Sequence, residues 1–310
     1  MKLKSSEKTP APKKTLPPEE LLSVRDWLRF LMSRMGAAEV SFGQGFVDAW
    51  DEAVYLVLHT LHLPLDRLEP FLDAALTVDE CERLMRVVER RCEEREPAAY
   101  ITGEAWLGGL RFRVDPRVII PRSHIFELMQ DGFSPWLDDT GAPGRILDLC
   151  TGSACLAIAA AHTFPDAEVD AVDLSADALK VAQLNIHDHG LRDRVEVLHG
   201  DLFEPLEGRR YDLILSNPPY VTDAAMDALP EEFRKEPAMA LGAGADGMDI
   251  VRRIVAEAGR HLNPGGLLLI EIGHNQAEAE AALPDLPLVW LDTDSATAPV
   301  FLLRAEDLPQ

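Results

Sequence analysis

This chain is short of cysteine, of long apolar runs and of positive charge, and each shortage removes a class of protein. Its four cysteines, Cys81, Cys92, Cys150 and Cys155, are spread through 310 residues. None forms a closely spaced pair of the zinc type, and so few argue against a disulfide framework, so they read as buried reduced thiols. No stretch approaches the roughly 18 apolar residues that a membrane span requires. The opening Met1-Lys2-Leu3-Lys4-Ser5-Ser6 lacks the apolar segment of a signal peptide. A cytoplasmic location with no membrane partner is therefore expected. Lys and Arg number 30 against 53 Asp and Glu, a formal net charge of -23. That charge repels a polyphosphate, because affinity for DNA or RNA rests on lysine and arginine contacts that release counterions. Free nucleic acid is a poor candidate substrate. The same charge would speed encounter with a strongly basic protein at low salt, beside its ordinary service to solubility. No metal site is expected: His59 with His62, and His187 with His189 around Asp188, read as solvated helix faces.

What is present is enough apolar material, 47% of residues, for one large domain and a smaller one. Residues 1–16, rich in Lys, Ser, Thr, Pro and Ala, read as a flexible tail. Val24, Trp27, Leu28, Leu31, Met32 and Met35 repeat at helical spacing up to Gly36. Further helices are expected over about 47–61 and 66–76. A third begins at the capping-box pair Thr77 and Glu80, with Cys81, Leu84, Met85, Val88 and Cys92 on one face before Pro97. Residues 17–103 thus form a small helical domain. Around Gly108-Gly109 the period changes to two, with Leu110, Phe112 and Val114 alternating, so 104–122 reads as a β-hairpin linker. From about residue 144 strands and helices alternate: Arg145–Cys150, Glu168–Val172, Val195–His199, Tyr211–Ser216, Leu267–Ile272, Leu288–Leu291 and Val300–Leu303. Such alternation predicts an α/β domain over 123–310, a parallel sheet covered on both faces with an antiparallel hairpin at its edge.

The most informative residues are Asn217-Pro218-Pro219-Tyr220, directly after the apolar run Tyr211–Ser216. Two prolines end the strand and leave their carbonyls with no ladder to join. Asn217 adds an amide and Tyr220 an aromatic face, so an incoming planar –NH2 group can be held by oxygens while its plane stacks. At the other strand ends, Asp148-Leu149-Cys150-Thr151-Gly152-Ser153-Ala154 forms a turn of small residues before a helix. Only Gly152 of a Gly-x-Gly-x-x-Gly pattern is there, so the dinucleotide fingerprint fails. Asp173 suits two ribose hydroxyls, with Ser175 available to cap the next helix, and Asp201-Leu202-Phe203 suits an adenine. Together these strand ends describe S-adenosylmethionine facing an amide nitrogen.

On these residues the chain resembles the bacterial protein-(glutamine amide nitrogen) methyltransferases. The resemblance implies a Rossmann-like seven-stranded methyltransferase domain behind a helical domain, with S-adenosylmethionine as cofactor. It implies cofactor contacts at Asp148, Cys150, Thr151, Gly152, Ser153, Ala154, Asp173, Asp201, Leu202, Phe203 and Asn217, and a substrate motif of Asn217, Pro218, Pro219 and Tyr220. Glu236-Pro237, Ala240-Leu241 and Asp246-Gly247 are similar to the stretch that follows this motif in the family. One branch methylates a glutamine of peptide release factors, the other a glutamine of large-subunit ribosomal protein three. Pro121-Arg122-Ser123, Trp50-Asp51-Glu52-Ala53 and Cys150 point to the second, with ribosomal protein three as partner. Ala154 departs from the glycine usual in both branches, and a methyl there is expected to crowd the cofactor if the position needs φ > 0. Arg122 and Glu127 are left without an assigned role. The rival activity is methylation of an adenine amino group, which can use the same grip after base flipping but needs a basic groove.

Overall fold

The structure is a computed structural model that describes residues 20–137, 141–293 and 300–309. The expected tail, residues 1–16, lies outside the described residues. The described residues divide into two compact units, one made by residues 20–40 together with Asp48–Arg95, the other by Ser41–Val47 and the described residues from Glu96 on.

The first unit is helical. α1 (Val24–Ala37) starts at a capping box between Ser23 and Asp26 and buries Val24, Trp27, Leu28, Leu31 and Met35 along one stripe. α2 (Ala49–Thr60) is capped by Asp48, and α3 (Val78–Val88) by the expected pair Thr77 and Glu80. The helix expected over 66–76 is absent: only a single 3-10 turn, Glu69–Phe71, forms there. Pro70 cannot donate to the Asp66 carbonyl and its ring clashes there, so a helix running on from residue 66 is barred. α3 ends in a wide turn, Glu89–Glu93, that brings Arg91 and Cys92 into the interior. There Arg91 forms a buried ion pair with Glu52.

The second unit opens with α4 (Ala98–Thr102) and the hairpin β1 (Glu104–Leu107) and β2 (Leu110–Arg113), antiparallel about Gly108-Gly109. After α5 (Ile125–Gln130) come β3 (Arg145–Leu149), α6 (Cys155–Thr163), β4 (Glu168–Asp173), α7 (Ala176–Asp188), β5 (Val195–His199) and β6 (Tyr211–Ser216). α8 (Asp223–Ala228), α9 (Asp249–His261), β7 (Leu262–Glu271), α10 (Gln276–Ala282), β8 (Val289–Leu291) and β9 (Val300–Arg304) complete it. Seven strands form one sheet in the order β5-β4-β3-β6-β7-β9-β8, parallel except for β9, which runs antiparallel to both β7 and β8. Along β6 successive side chains enter opposite cores, Leu213 and Leu215 on one face and Ile214 on the other. Both faces are therefore buried, as the unbroken apolar run demanded. β7 begins five residues before its expected start, because Leu262 pairs with Tyr211 ahead of a bulge. Chain order reverses between β3 and β6, so their carboxyl ends form the switch point at which α/β sheets bind ligands. No helix among the described residues is long and apolar enough to cross a membrane.

Candidate functional site

β6 delivers Asn217 to that switch point. Ser216, the last strand residue, is fully buried and its hydroxyl donates to the Leu149 carbonyl of β3 at 2.9 Å, tying the two strand ends together. Asn217 Nδ2 donates to the Arg122 carbonyl at 3.1 Å. A carbonyl can only accept, so this contact fixes which end of the carboxamide is which and leaves Oδ1 as the acceptor. Tyr220 is held from two sides. Its carbonyl accepts a hydrogen bond from the Asn275 side chain, and its ring occupies space beside Gly273, where an added Cβ would come within 2.6 Å of it. Burial, then the nearby Glu271 charge, pushes the Tyr220 hydroxyl up to about 12. That phenol stays neutral at physiological pH and supplies a face and a donor, with no phenolate to act as a base.

The loop after β3 is shaped from within. Asp148 accepts the Thr151 hydroxyl at 2.5 Å and the Ala157 N–H at 3.0 Å, and its burial pushes its carboxyl up to about 7. Cys150, Gly152 and Ala154 all have positive φ, at 60°, 56° and 64°. Asp173, at the end of β4, accepts the Gly152 and Ser175 N–H groups, each at 2.8 Å, one on each carboxylate oxygen. Burial raises its pKa. Ser175 caps α7 by accepting the Ala178 N–H, so Asp173 is not needed for that task.

A cleft of about 790 Å³, counting space open to solvent, gathers these strand ends. Of the residues expected from sequence, Cys150, Gly152, Asp173, Asp201, Leu202, Asn217 and Pro219 line it. Asp148, Thr151, Ser153, Ala154, Phe203, Pro218 and Tyr220 are not among its lining residues. Phe203 stacks on His261 at 4.7 Å in the core, and the buried Ala154 belongs to the hydrophobic cluster on one face of the sheet. Asp201 carries an ion pair with Arg253 at 2.9 Å. Sequence reading missed Leu174, Met239, Ile250 and Arg253, which also line the cleft. Leu174 had a signal: an apolar residue between a strand-end acid and a helix cap has no core to join, and it is 55% exposed. The polar set fits a nucleoside at the Asp173 end, where a half-buried carboxylate keeps lone pairs beyond its two backbone donors. Apolar Leu202, Ile250 and Met239 offer surfaces for a base.

The family model described as Methyltransferase small domain matches residues 134–247, and PrmC N-terminal domain matches residues 43–103. A protein of Burkholderia pseudomallei named ribosomal protein uL3 glutamine methyltransferase is 55% identical over 95% of this chain and 98% of its own length. One of the same name from Bradyrhizobium diazoefficiens is 46% identical over 93% of this chain and 92% of its own. The chain belongs to the uL3 glutamine methyltransferase family. It is a methyltransferase. Among solved structures, a ribosomal protein L11 methylase of Lactobacillus delbrueckii subsp. bulgaricus covers 62% of this chain and 84% of its own, at 20% identity and a TM-score of 0.44. The stretch that resembled this uL3 glutamine methyltransferase family after its substrate motif has physical duties here. Glu236 pairs with Arg122, and Pro237 and Ala240 line the cleft. The Leu241 carbonyl accepts from Val221 at 2.8 Å, and a Cβ on Gly247 would come within 2.3 Å of the Tyr220 carbonyl.

Proposed function

We propose that this methyltransferase transfers a methyl group from S-adenosylmethionine to the side-chain amide nitrogen of a glutamine in ribosomal protein uL3. The observation that carries the reading is the meeting, in one cleft, of Asp173 with an Asn217 carboxamide whose Oδ1 is left to accept. Asp173, with Gly152 and Cys150, would hold the ribose and the neighbouring part of the cofactor, and Leu202 and Ile250 would flank its base. When bound, the cofactor supplies an electrophilic methyl on a sulfonium. Everything else is positioning by the chain. Asn217 Oδ1 and the Pro218 carbonyl take the two hydrogens of the glutamine –NH2, and the Tyr220 ring stacks on the amide plane. An amide lone pair is delocalised and weakly nucleophilic, so alignment and oriented acceptors for the charge that develops on the –NH2 group carry the rate. The proton can leave after transfer, when the nitrogen has become acidic. The helical region is assigned to docking of the protein substrate, with 104–122 as its linker to the catalytic domain. A ribosomal protein substrate supports a cytoplasmic location for the reaction.

The test offers isolated uL3, a release factor and unmethylated RNA side by side with labelled cofactor, and maps any product by fragment-ion mass spectrometry. Label on a uL3 glutamine alone is the expected result. Label on the release factor would move the protein to the other branch, and label on RNA would overturn the substrate class. Asn217→Ala should lower the single-turnover rate about a hundredfold or more at saturating cofactor, by analogy with loss of one oriented polar group.

A further inference from the structure

Two buried carboxylates outside the cleft hold the segment Ile120–His124 at its two ends. Glu236, whose side chain is 0% exposed, accepts the Ile120 N–H at 3.0 Å and the Arg122 guanidinium at 2.6 and 2.8 Å. Glu271, the last residue of β7, is also buried and accepts the Ser123 hydroxyl at 2.6 Å and the His124 N–H at 2.9 Å. Between these two anchor points sits the Arg122 carbonyl that receives Asn217 Nδ2. The Arg122 guanidinium also lies over the Phe233 ring, 5.6 Å from its centroid. Neither glutamate lines the cleft.

An asparagine carboxamide has a broad, roughly two-fold torsion, so by itself it presents oxygen or NH2 to a ligand with little preference. A single acceptor fixed on one side resolves that choice, and the acceptor works only if its backbone does not drift. A fork of two charge-assisted bonds from a planar guanidinium to a carboxylate is a rigid way to pin that backbone. We propose that Arg122 and Glu236 are positioning residues for methyl transfer: they register the Arg122 carbonyl, which turns the Asn217 carboxamide so that Oδ1 faces the substrate amide. The proposal rests on the reading of Asn217 as the group that holds the glutamine.

The test uses the full chain with Glu236→Gln, Arg122→Lys, and the double variant Arg122→Met with Glu236→Leu. The double variant leaves no unpaired buried charge if a single change prevents folding. Single-turnover transfer to isolated uL3, cofactor affinity by calorimetry and the Asn217 side-chain amide signals in protein labelled with 15N-asparagine are read together, the last assigned by their loss in Asn217→Ala. The expected result for Glu236→Gln is a rate lower by about tenfold to a hundredfold, cofactor affinity and the KM for uL3 within about twofold of the parent, and displaced Asn217 amide signals. Arg122→Lys, which keeps the cation but not the fork, should fall between the two. An unchanged rate in both Glu236→Gln and the double variant, with Asn217→Ala impaired, would overturn the positioning role and leave the function standing. Unmoved Asn217 signals beside a slow rate would overturn it equally. If Asn217→Ala itself is unimpaired, the reading of the site fails before the positioning question arises.

Discussion

Asp148 shows how one buried carboxylate can shape a loop from within, by accepting from Thr151 and Ala157. Its folded-state pKa, about 7 through burial, lies above its unfolded value. Between about pH 4 and pH 7 the native state therefore binds more protons than the unfolded state, and this group's contribution to stability is lost as pH rises through that window. Asp148→Asn keeps an acceptor for Ala157 and loses the charge. Its urea midpoint should match the parent near about pH 4 and exceed it near about pH 8, with a flatter profile between. Ala154 is a second residue-scale case. Its left-handed φ of 64° costs an L-residue roughly 1–2 kcal/mol. Ala154→Gly relieves that cost but forfeits a buried methyl, roughly 0.8 kcal/mol, and adds unfolded-state entropy, roughly 0.4–1 kcal/mol. The terms nearly cancel, so the thermal midpoint should move by no more than a few degrees. Because the methyl sits in the core, cofactor affinity should change less than about threefold. Asn217 was legible in sequence because paired prolines mark a strand end wherever they follow an apolar run. Glu236 was marked only by resemblance, and its pairing with Arg122 was not legible: the two lie 114 residues apart, and no local pattern connects them.

Elements follow the same logic. The central strands β6 and β7 were legible because both their faces are buried, which leaves the apolar runs Leu213–Leu215 and Leu267–Ile270, and α3 was legible because Thr77 and Glu80 cap it. The segment around Pro70 was misread as a helix because apolar spacing alone does not register a missing N–H. The wide turn at Glu89–Glu93 left no signal either, since its purpose is tertiary: it carries Arg91 to Glu52. Glu52, which looked like part of a branch-specific motif, thus has a structural duty. Glu52→Ala strands a buried guanidinium and should destabilise the helical unit by about 3–5 kcal/mol, whereas Thr77→Ala should cost about 1 kcal/mol for the lost cap. Urea denaturation of the two variants should rank them in that order.

Over the whole molecule the net charge of -23 becomes a kinetic quantity. The proposed substrate packs on ribosomal RNA and so carries excess lysine and arginine; on that reading its attraction to this chain is long-ranged and screened by salt. Raising ionic strength from about 0.05 M to about 0.5 M should lower kcat/KM for uL3 several-fold, while the single-turnover rate at saturating uL3 stays constant. Equal loss in both would show that salt acts on the chemistry or the fold. The path of the chain carries one more consequence. Ser41–Val47 belongs to the second unit although the residues before and after it belong to the first. Within that segment the Ser41 N–H donates to the buried Glu232 carboxylate at 3.1 Å, and Gln44 donates to the Glu232 carbonyl at 3.5 Å. A chimera that borrowed the helical unit of a relative by a single splice near residue 96 would import a foreign strap against a native glutamate. Transplants of the helical unit between relatives have to carry residues 41–47 and Glu232 as one heritable set.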